Sequence, residues 1–436
     1  MSKMQELDAL QSTLNAALDT IRDELSIQGL PELSSTAVEQ HPLDDPAYLS
    51  SPRLFEARRL ALGSIGQLRN LLQVPYEKVV EQSFAVYDTA CLSIITSTGL
   101  LDKLAESPAL SVAELSKALK LHPLKVTTVL RYLAAQGWFF EREYNIFSLA
   151  RPALELRSGH NGRIWTSTPG KPLVAMSLME MMTRPDWKFS TSSLKTAFQL
   201  SHSTPLSLFD YLKHNPSELE QWSKSVRSLG TASQEALITD YPWESLGPGV
   251  FLDCGGGQGY LSILLSRKLP DSIFVIQDLP EVIPITQENI LRDCPDLLQQ
   301  GRLIVEAHDF FQPQLRAADI YMFRYILHNW SNADCVTILK KTAIAAHPEA
   351  RFLVIEYIPQ PSTFNLPDRE NCTGAVLDDF IGLTDYQPIA PPPFIPLNFG
   401  VNAKMHLALG VHMMGVFNAS ERYLNGRKSS QPRDYI

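Results

Sequence analysis

The chain has 436 residues, of which 44% are hydrophobic and 19% are charged, and its formal net charge is −9. This composition predicts a globular protein of more than one domain, and the acidic balance argues against a nucleic-acid or anionic-membrane partner. We find neither a secretory signal nor an apolar run of about 18 residues, so we expect no membrane-spanning helix. The five cysteines are scattered without a C-x-x-C pair, which predicts free thiols and a cytoplasmic location.

The N-terminal half is predicted to be mainly helical. Residues 3–30 have the pattern of one amphipathic helix, and residues 31–50, rich in Pro, Ser and acidic side chains, are typical of a linker. Helical patterns continue to about residue 235. We therefore predict three parts: an N-terminal helix and linker (1–50), a helical domain (51–235) and a C-terminal domain (236–436).

Residues 111–150 combine two helices with a hairpin. Ser111 and Glu114 form a capping box at the start of the first helix, Pro123 opens the second helix, and Gly137 ends it. The stretch WFFEREYNIFSL then predicts two short strands joined by a turn. Two helices followed by a hairpin are the pattern of a winged-helix domain.

Winged helices often bind DNA. The second helix here carries only Lys125 and Arg131, which are too few positive charges to hold phosphate groups firmly. We expect this domain to serve in dimerisation or packing instead.

From residue 248 strands alternate with helices. The short apolar runs are GVFLDC, SIFVIQD, RLIVEAHD, DIYMFRY and RFLVIEYI. Because buried parallel strands read as continuous apolar runs, this alternation predicts an α/β fold, a Rossmann-like doubly wound sheet with helices on both faces.

The stretch FLDCGGGQGYLS, residues 251–262, places a strand, an acidic residue, a glycine cluster and a helix start in that order. The glycines permit a tight turn and let a ligand approach the backbone, and the helix N-terminus favours a negative group such as a carboxylate. The loop alone is compatible with NAD, FAD or another nucleotide. No lysine follows it, so it is not a triphosphate-binding loop.

Acidic residues follow the next two strands. Asp278 ends FVIQD, where it can accept hydrogen bonds from both ribose hydroxyls of an adenosine or cap the helix predicted at LPEVI. The third strand ends HDFF, where Asp309 and Phe310 suit hydrogen bonding to and stacking on an adenine. Phe310 and Phe311 are equally suited to filling the core.

His328 lies in RYILHNWSNADC, between an apolar run and a helical stretch. A lone histidine is more often a buried residue with its hydrogen bonds satisfied than a catalytic base. Trp330 and Cys335 are expected to be packing residues. The meaning of His328 therefore depends on the motifs around it.

In order along the chain, LDCGGGQG, QDLPEVI, HDFF, FRYILHNWSNADCVTILKK and FLVIEYI resemble the motifs of the S-adenosylmethionine-dependent O-methyltransferases of plants and fungi. The likeness is strongest to the fungal branch that acts in secondary metabolism, and it covers nearly the whole chain. It implies S-adenosylmethionine as cofactor, a small secondary metabolite as substrate, and a homodimer formed through the winged-helix domain.

The resemblance also implies roles for single residues. The residues implied for the cofactor are Asp253, Gly255, Gly256, Gly257 and Gly259 for its amino-acid end, Asp278 for the ribose, Asp309 and Phe310 for the adenine, and Arg324 for a basic contact. His328 falls on the family's general base, Glu356 on an acid that orients it, and Glu421 on a second acid nearby. His412 and Met413 lie in a helix that lines the family's substrate pocket, although such methionines are more often core.

A histidine base suits this chemistry. A phenol has a pKa near 10 and an imidazole one of about 6.5, so a positioned neutral histidine can accept the proton that the hydroxyl loses as it attacks a methyl group. A carboxylate behind the ring would fix its tautomer and stabilise the imidazolium. We expect no metal, since the named acids and histidines lack ligand spacing.

The sequence departs from the family at three places. Asn329 stands where the family usually has Asp, residues 359–404 form a Pro-rich insertion, and the expected last helix and antiparallel strand pair are missing before Ile436. The insertion and the missing strands keep open a second hypothesis, a pericyclase or dehydratase that binds S-adenosylmethionine without transferring its methyl group. A third hypothesis, a non-catalytic winged-helix regulator, would require the cofactor motifs to be relics.

Overall fold

A computed structural model describes residues 5–166, 170–359 and 403–422, together with Ser362, Leu377 and 394–396. The described residues fall into two compact units. The first holds those of Met1–Pro172, Ser217–Ser233 and Pro361–Lys404, and the second holds those of Leu173–Pro216, Gln234–Gln360 and Met405–Ile436. The predicted domain boundaries at residues 50 and 235 stay predictions. The second unit differs from the predicted C-terminal domain because it includes Leu173–Pro216.

The N-terminal part is helical. Its helices and strands are α1 (Glu6–Ile27), α2 (Pro52–Leu72), α3 (Pro75–Phe84), α4 (Val86–Ser97), α5 (Leu100–Ala105), β1 (Leu110–Ser111), α6 (Val112–Leu119), α7 (Pro123–Ala134), β2 (Phe139–Glu143), β3 (Ile146–Leu149), α8 (Arg151–Leu154) and α9 (Asn161–Thr166). The amphipathic helix predicted over residues 3–30 is confirmed as α1, which packs on α2 through Ala17, Ala57 and Leu60. The predicted linker contains a short 3-10 helix, Pro42–Asp44, and Asp44 pairs with Arg151.

The winged-helix prediction is confirmed. Ser111 and Glu114 cap α6 reciprocally, and Pro123 is the first residue of α7. Gly137 has a φ of 81°, in the left-handed region that glycine adopts readily, and turns the chain from α7 into the hairpin. The three short strands pair antiparallel in the order β1-β3-β2 over a buried core that includes Leu130 and Phe147.

Five helices lead from the first part to the large sheet: α10 (Gly170–Thr183), α11 (Ala197–His202), α12 (Leu208–His214), α13 (Pro216–Ala232) and α14 (Gln234–Asp240). The elements after them are β4 (Val250–Cys254), α15 (Tyr260–Lys268), β5 (Ile273–Asp278), α16 (Ile283–Asp293), α17 (Pro295–Gln299), β6 (Leu303–Ala307), β7 (Ile320–Arg324), α18 (Asn332–Thr342), β8 (Arg351–Ile355) and α19 (Ala403–Phe417). Short 3-10 turns lie at Trp243–Leu246, Leu327–Asn329 and Ala343–Ala345.

The large sheet is parallel, with strand order β6-β5-β4-β7-β8. Alternate side chains of its strands enter two separate cores, as a doubly wound sheet requires. Phe251 and Phe274 belong to the core that includes residues of α15 to α17, whereas the neighbouring Leu252 and Val275 belong to the core that includes Ile338 of α18. The predicted α/β architecture is therefore confirmed.

Some predictions fall outside the described residues. Most of the Pro-rich insertion and all of residues 423–436, on which the comparison with the family's last strands depends, are among them. None of the described helices is both long and apolar enough to cross a membrane.

Candidate active site

The glycine loop joins β4 to α15 at the carboxyl edge of the large sheet. Gly255, Gly257 and Gly259 all have positive φ angles, of 72°, 56° and 77°. The N–H groups of Gly255 and Gly256 donate to the carbonyl of Gln277 on β5 at 2.8 and 3.0 Å. The loop is thereby fixed to the neighbouring strand.

A side chain is excluded from most of this loop. A Cβ on Gly255 would lie 2.6 Å from Ile326 Cδ1, and one on Gly256 would lie 2.8 Å from the Asp253 carboxyl carbon. A Cβ on Gly257 would meet no atom within 4 Å. A Cβ on Gly259 would lie 2.6 Å from Ile276 Cδ1, so the loop is tightly packed at three of its glycines and open only at Gly257.

Asp278 is bound to the same loop. Its Oδ2 accepts the Gly257 N–H at 2.8 Å, and its Oδ1 accepts the Leu279 N–H at 2.7 Å. Burial raises the pKa of Asp278, although these two N–H groups partly offset that effect. The alternative interpretation, that Asp278 caps a helix at LPEVI, is wrong: α16 begins only at Ile283, after a turn in which Val282 N–H bonds to the Leu279 carbonyl.

Asp253 lies behind the loop and is only 3% exposed. Ser262 donates its hydroxyl to Asp253 Oδ2 at 2.7 Å. Burial raises the pKa of Asp253 to about 6, opposed by the Ser262 bond and by the positive charge of Arg324 at the end of β7. Asp253 and Arg324 are therefore electrostatically coupled in the structure.

The segment after β6 completes this region. The His308 N–H donates to the Asp278 carbonyl at 2.8 Å, and Phe310 lies so close to Gly255 that a Cβ there would be 3.3 Å from its ring. Phe310 also contacts Trp330 edge-on, with ring centroids 5.9 Å apart. Asp309 accepts the Phe311 N–H at 2.9 Å. The predicted cofactor residues are thus brought together along adjoining loops.

This region fits the cofactor that the sequence implies. The open side of Gly257 leaves room for a ligand against the backbone, beside the Asp278 carboxylate that can accept hydrogen bonds from ribose hydroxyls. Phe310, adjacent to the loop, supplies an aromatic face.

His328 lies in the short 3-10 turn Leu327–Asn329 and is 5% exposed. Its Nδ1 is 2.7 Å from Oε1 of Glu421, while its main-chain N–H donates to Oε1 of Glu356 at 2.8 Å. The sequence assigned the orienting contact with the ring to Glu356. The structure corrects this: Glu356 holds the backbone, and Glu421 holds the ring.

The two acids share a mostly buried environment. Burial raises the pKa of Glu356, the neighbouring Glu421 raises it further, and His328 and Arg422 lower it. Oε2 of Glu421 is buried and has no hydrogen-bond partner in the described structure. Within the described part of the chain, the centre formed by His328, Glu356, Glu421 and Arg422 therefore contains an acceptor without a donor beside the histidine.

Asn329, the departure from the family's usual Asp, has a local role. Its side-chain amide donates to the carbonyl of Tyr325 at 3.1 Å. A carboxylate has no proton with which to make this bond. Asn329 therefore stabilises the turn that carries His328.

Arg422 was not identified from the sequence. It bonds to the carbonyls of Leu327 and Trp330, on either side of His328. Its position directly after Glu421 was the available signal, but a single arginine near the end of a chain has no distinguishing pattern.

The predicted substrate residues on α19 differ in their placement. Gly410 faces Glu421, since a Cβ there would lie 3.9 Å from Glu421 Cγ. At about 100° per residue, His406 and Met413 share the side of Gly410, whereas His412 lies about 200° round the helix. Met413 is buried, and His406 stacks on Tyr357 with centroids 4.3 Å apart. His406, rather than His412, is the α19 histidine near the centre.

Among the described residues, no group of three or more His, Cys, Asp or Glu side chains is arranged to hold a metal ion.

The chain is similar to known O-methyltransferases. Residues 188–372 match the O-methyltransferase domain family. The chain is 28% identical over 425 residues to "3-O-methyltransferase 2" of Phanerochaete chrysosporium, covering 96% of this chain and 91% of that protein. It is 27% identical over 415 residues to "O-methyltransferase tpcA" of Aspergillus fumigatus, covering 86% and 82%.

The fold is similar to that of a solved structure titled "A Pericyclic Reaction enzyme". The TM-score is 0.66 at 18% identity, covering 95% of this chain and 91% of that one. At this identity the likeness concerns the fold alone. The matched domain and the fungal relatives show that the chain is similar to O-methyltransferases over most of its length.

Proposed function

We propose that this protein transfers a methyl group from S-adenosylmethionine to a hydroxyl of a small aromatic or polyketide-like secondary metabolite, with His328 as general base. The observation that carries the proposal is the buried pair of His328 Nδ1 and Glu421 Oε1, 2.7 Å apart. This pairing supports the tautomer in which Nδ1 is protonated, which leaves Nε2 free to accept a proton.

The cofactor would be held by the loops at the carboxyl edge of the sheet. Gly257 would meet it through its backbone, Asp278 would accept hydrogen bonds from the ribose, and Asp309 and Phe310 would meet the adenine. Asp253, held by Ser262 and coupled to Arg324, would keep the loop in shape and balance local charge. When bound, S-adenosylmethionine supplies an electrophilic methyl group.

The chain's own part is to orient the acceptor and take its proton. Nε2 of His328 accepts the hydroxyl proton as the oxygen attacks, and Glu421 stabilises the imidazolium that results. Glu356 fixes the backbone of His328, so the ring keeps its place during transfer. Positioning of this kind, with exclusion of water, supplies much of the rate in a substitution reaction.

The curated relatives support the substrate class. Several are named O-methyltransferases from fungi, and one is named for the grayanic acid biosynthesis cluster. A second candidate function is a cyclisation or dehydration in which the bound sulfonium is not consumed. It is favoured by the fold-level likeness to the pericyclic reaction enzyme, whereas the paired His328 and Glu421 favour methyl transfer.

We also propose a cytoplasmic homodimer joined through the N-terminal unit. Its support is the exposure of large apolar side chains on and between α2 and α3, where Leu72 is 67%, Tyr76 is 76% and Val79 is 68% exposed. Light scattering on the purified chain tests this, because the proposal requires twice the mass of one chain at micromolar concentration.

The experiment for the main proposal uses S-adenosylmethionine with a deuterated methyl group. The purified protein is incubated with it and with extract from a producing strain that lacks the gene, and products are compared by mass spectrometry. A new product that carries the label supports methyl transfer. A new product without label, isomeric with its precursor or lighter by one water, contradicts it and supports the second candidate.

A further inference from the structure

We propose that Arg422 is a positioning residue for the catalytic base: it clamps the turn that carries His328 and balances the charge of the two acids beside it. The catalytic meaning of this role rests on the proposed function, whereas the clamp itself rests only on contacts in the structure.

The guanidinium of Arg422 reaches both ends of the turn. Its Nη1 donates to the carbonyl of Leu327 at 2.8 Å, and its Nη2 donates to the carbonyl of Trp330 at 3.1 Å. Nη2 also lies 3.3 Å from Oδ1 of Asn332 and 2.9 Å from the sulfur of Cys335. One planar side chain thus bridges the residues that flank His328, a geometry that a lysine ammonium cannot reproduce.

The turn needs such support. It is a 3-10 helix of three residues, in which hydrogen-bond geometry is poor. Tyr325, two residues before it, has a φ of 55°, a left-handed conformation that is unfavourable for a residue with a Cβ. A strained segment of this kind keeps one conformation only when its surroundings fix it.

Three residues hold the turn from different directions. Glu421 binds the ring of His328, Glu356 binds its main-chain N–H, and Arg422 binds the carbonyls on either side. Because Glu421 and Arg422 are adjacent in the chain, any displacement of this segment moves the ring contact and the backbone contacts together.

Arg422 also sets the charge of the centre. With both acids ionised and His328 neutral, the two carboxylates and the guanidinium sum to −1, and protonation of His328 brings the sum to zero. Without Arg422 the net charge of the centre would be −2 before His328 is protonated. Like charges repel each other strongly in such a largely buried place. Cys335 interacts electrostatically with Arg422 and Glu356, His406 interacts with Glu421, and Asp334 interacts with Cys335. Tyr325 stacks on His328 and on Tyr357.

The charge balance has a direction that can be measured. Removing Arg422 removes a nearby positive charge, so the imidazolium form of His328 becomes more favourable relative to the neutral ring. Since the base must be neutral to act, the acidic limb of the pH–rate profile should move to higher pH.

The test compares Arg422→Met, Arg422→Lys and a control, Arg351→Met, in the full-length protein. Arg351 is an exposed arginine at the start of β8. Three quantities are measured: the titration of His328 by NMR of nitrogen-labelled histidine, assigned with His328→Gln; the affinity for S-adenosylmethionine; and the pH profile of label transfer.

We expect Arg422→Met to move the acidic limb of the pH–rate profile to higher pH and to lower the rate of transfer about a hundredfold, the scale expected for a misplaced catalytic group, with cofactor affinity unchanged. Arg422→Lys should restore the position of the acidic limb but only part of the rate, because lysine keeps the charge without the two-point clamp. Arg351→Met should match the wild type in all three measurements.

The proposal is overturned if Arg422→Met leaves both the His328 titration and the pH profile as in the wild type. It is also overturned if Arg422→Lys is as impaired as Arg422→Met in the titration. Should Arg422→Met not fold, the lysine variant alone decides, since a wild-type rate there excludes the clamp. If His328→Gln retains full transfer, the proposed base is wrong, but the NMR titration still reports on the clamp.

Discussion

Oε1 of Glu421 lies 2.7 Å from Nδ1 of His328, although 93 residues separate them along the chain. Glu356, only 28 residues from His328, bonds to its backbone instead. The two acids therefore have different work in the proposed mechanism. Glu421 stabilises positive charge on the ring, and Glu356 fixes the backbone that carries the ring.

Replacing each acid by its amide separates these two functions. Glu421→Gln can still accept a hydrogen bond from Nδ1 but loses the charge that stabilises the imidazolium. We expect a fall in the transfer rate of about tenfold to a thousandfold, within the range of general-base effects. Glu356→Gln can still accept the backbone N–H, so its rate should fall by less. An equal or larger loss in Glu356→Gln would return the orienting role to Glu356.

The open glycine of the loop offers a test of cofactor binding. Gly257→Ala places a methyl group where no protein atom lies within 4 Å, at a φ of 56°. Its cost in stability should be only the left-handed strain of about 1–2 kcal/mol, but the affinity for S-adenosylmethionine should fall strongly if the cofactor occupies that space.

The matched control is Gly301→Ala, at a φ of 67° with equally open surroundings, in the turn before β6. Gly301→Ala should lower the melting temperature as much as Gly257→Ala does, while calorimetry should give an unchanged affinity for S-adenosylmethionine. Equal cofactor affinity in the two variants would mean that Gly257 does not contact the cofactor.

The buried carboxyl of Asp253 predicts a pH-dependent stability. Its pKa of about 6 in the folded chain exceeds its ordinary value of 3.8, so the folded state binds the proton more tightly. Stability from this group is therefore full below about pH 4 and is lost as pH rises to about 6, an effect of roughly 3 kcal/mol.

Asp253→Asn keeps an acceptor for Ser262 but cannot ionise. Relative to the wild type, its free energy of unfolding in urea should improve by about that amount between pH 4 and pH 7. A difference between the two proteins that stays constant over this range would mean that Asp253 has an ordinary pKa.

The two histidines of α19 should differ in function. Nε2 of His406 is buried and has no hydrogen-bond partner among the described residues, and burial lowers the pKa of His406, which keeps the ring neutral. His406→Phe retains the stacking on Tyr357 but removes the nitrogens, and we expect kcat/KM to fall about threefold to tenfold, the worth of one hydrogen bond. His412→Phe, on the other side of the helix, should change it less than twofold. The reverse order would support His412 as the substrate residue.

Much of the fold could be predicted because its signals are local. The five parallel strands follow from continuous apolar runs, and the turn at Gly137 follows from one residue that tolerates a positive φ. The start of α16 at Ile283 was not predicted, because Asp278 bonds to the glycine loop rather than to a helix that follows it.

The division of labour at the centre could not be predicted either. Which acid reaches the ring of His328 depends on how the chain returns after α19, a non-local matter that no spacing in the sequence encodes. For the same reason Arg422 was missed: its bonds go to main-chain carbonyls of Leu327 and Trp330, which every sequence possesses. The family likeness identified Glu421 as an acid near His328, but it could not predict that Glu421 contacts the ring.

The most direct test of the mechanism is the rate of label transfer by His328→Ala compared with the wild type, at equal saturation with deuterated S-adenosylmethionine. We expect the rate to fall at least about a hundredfold, as loss of a general base requires, while calorimetry gives the same cofactor affinity. A His328→Ala variant that transfers the labelled methyl group at the wild-type rate would contradict the assignment of His328 as the base.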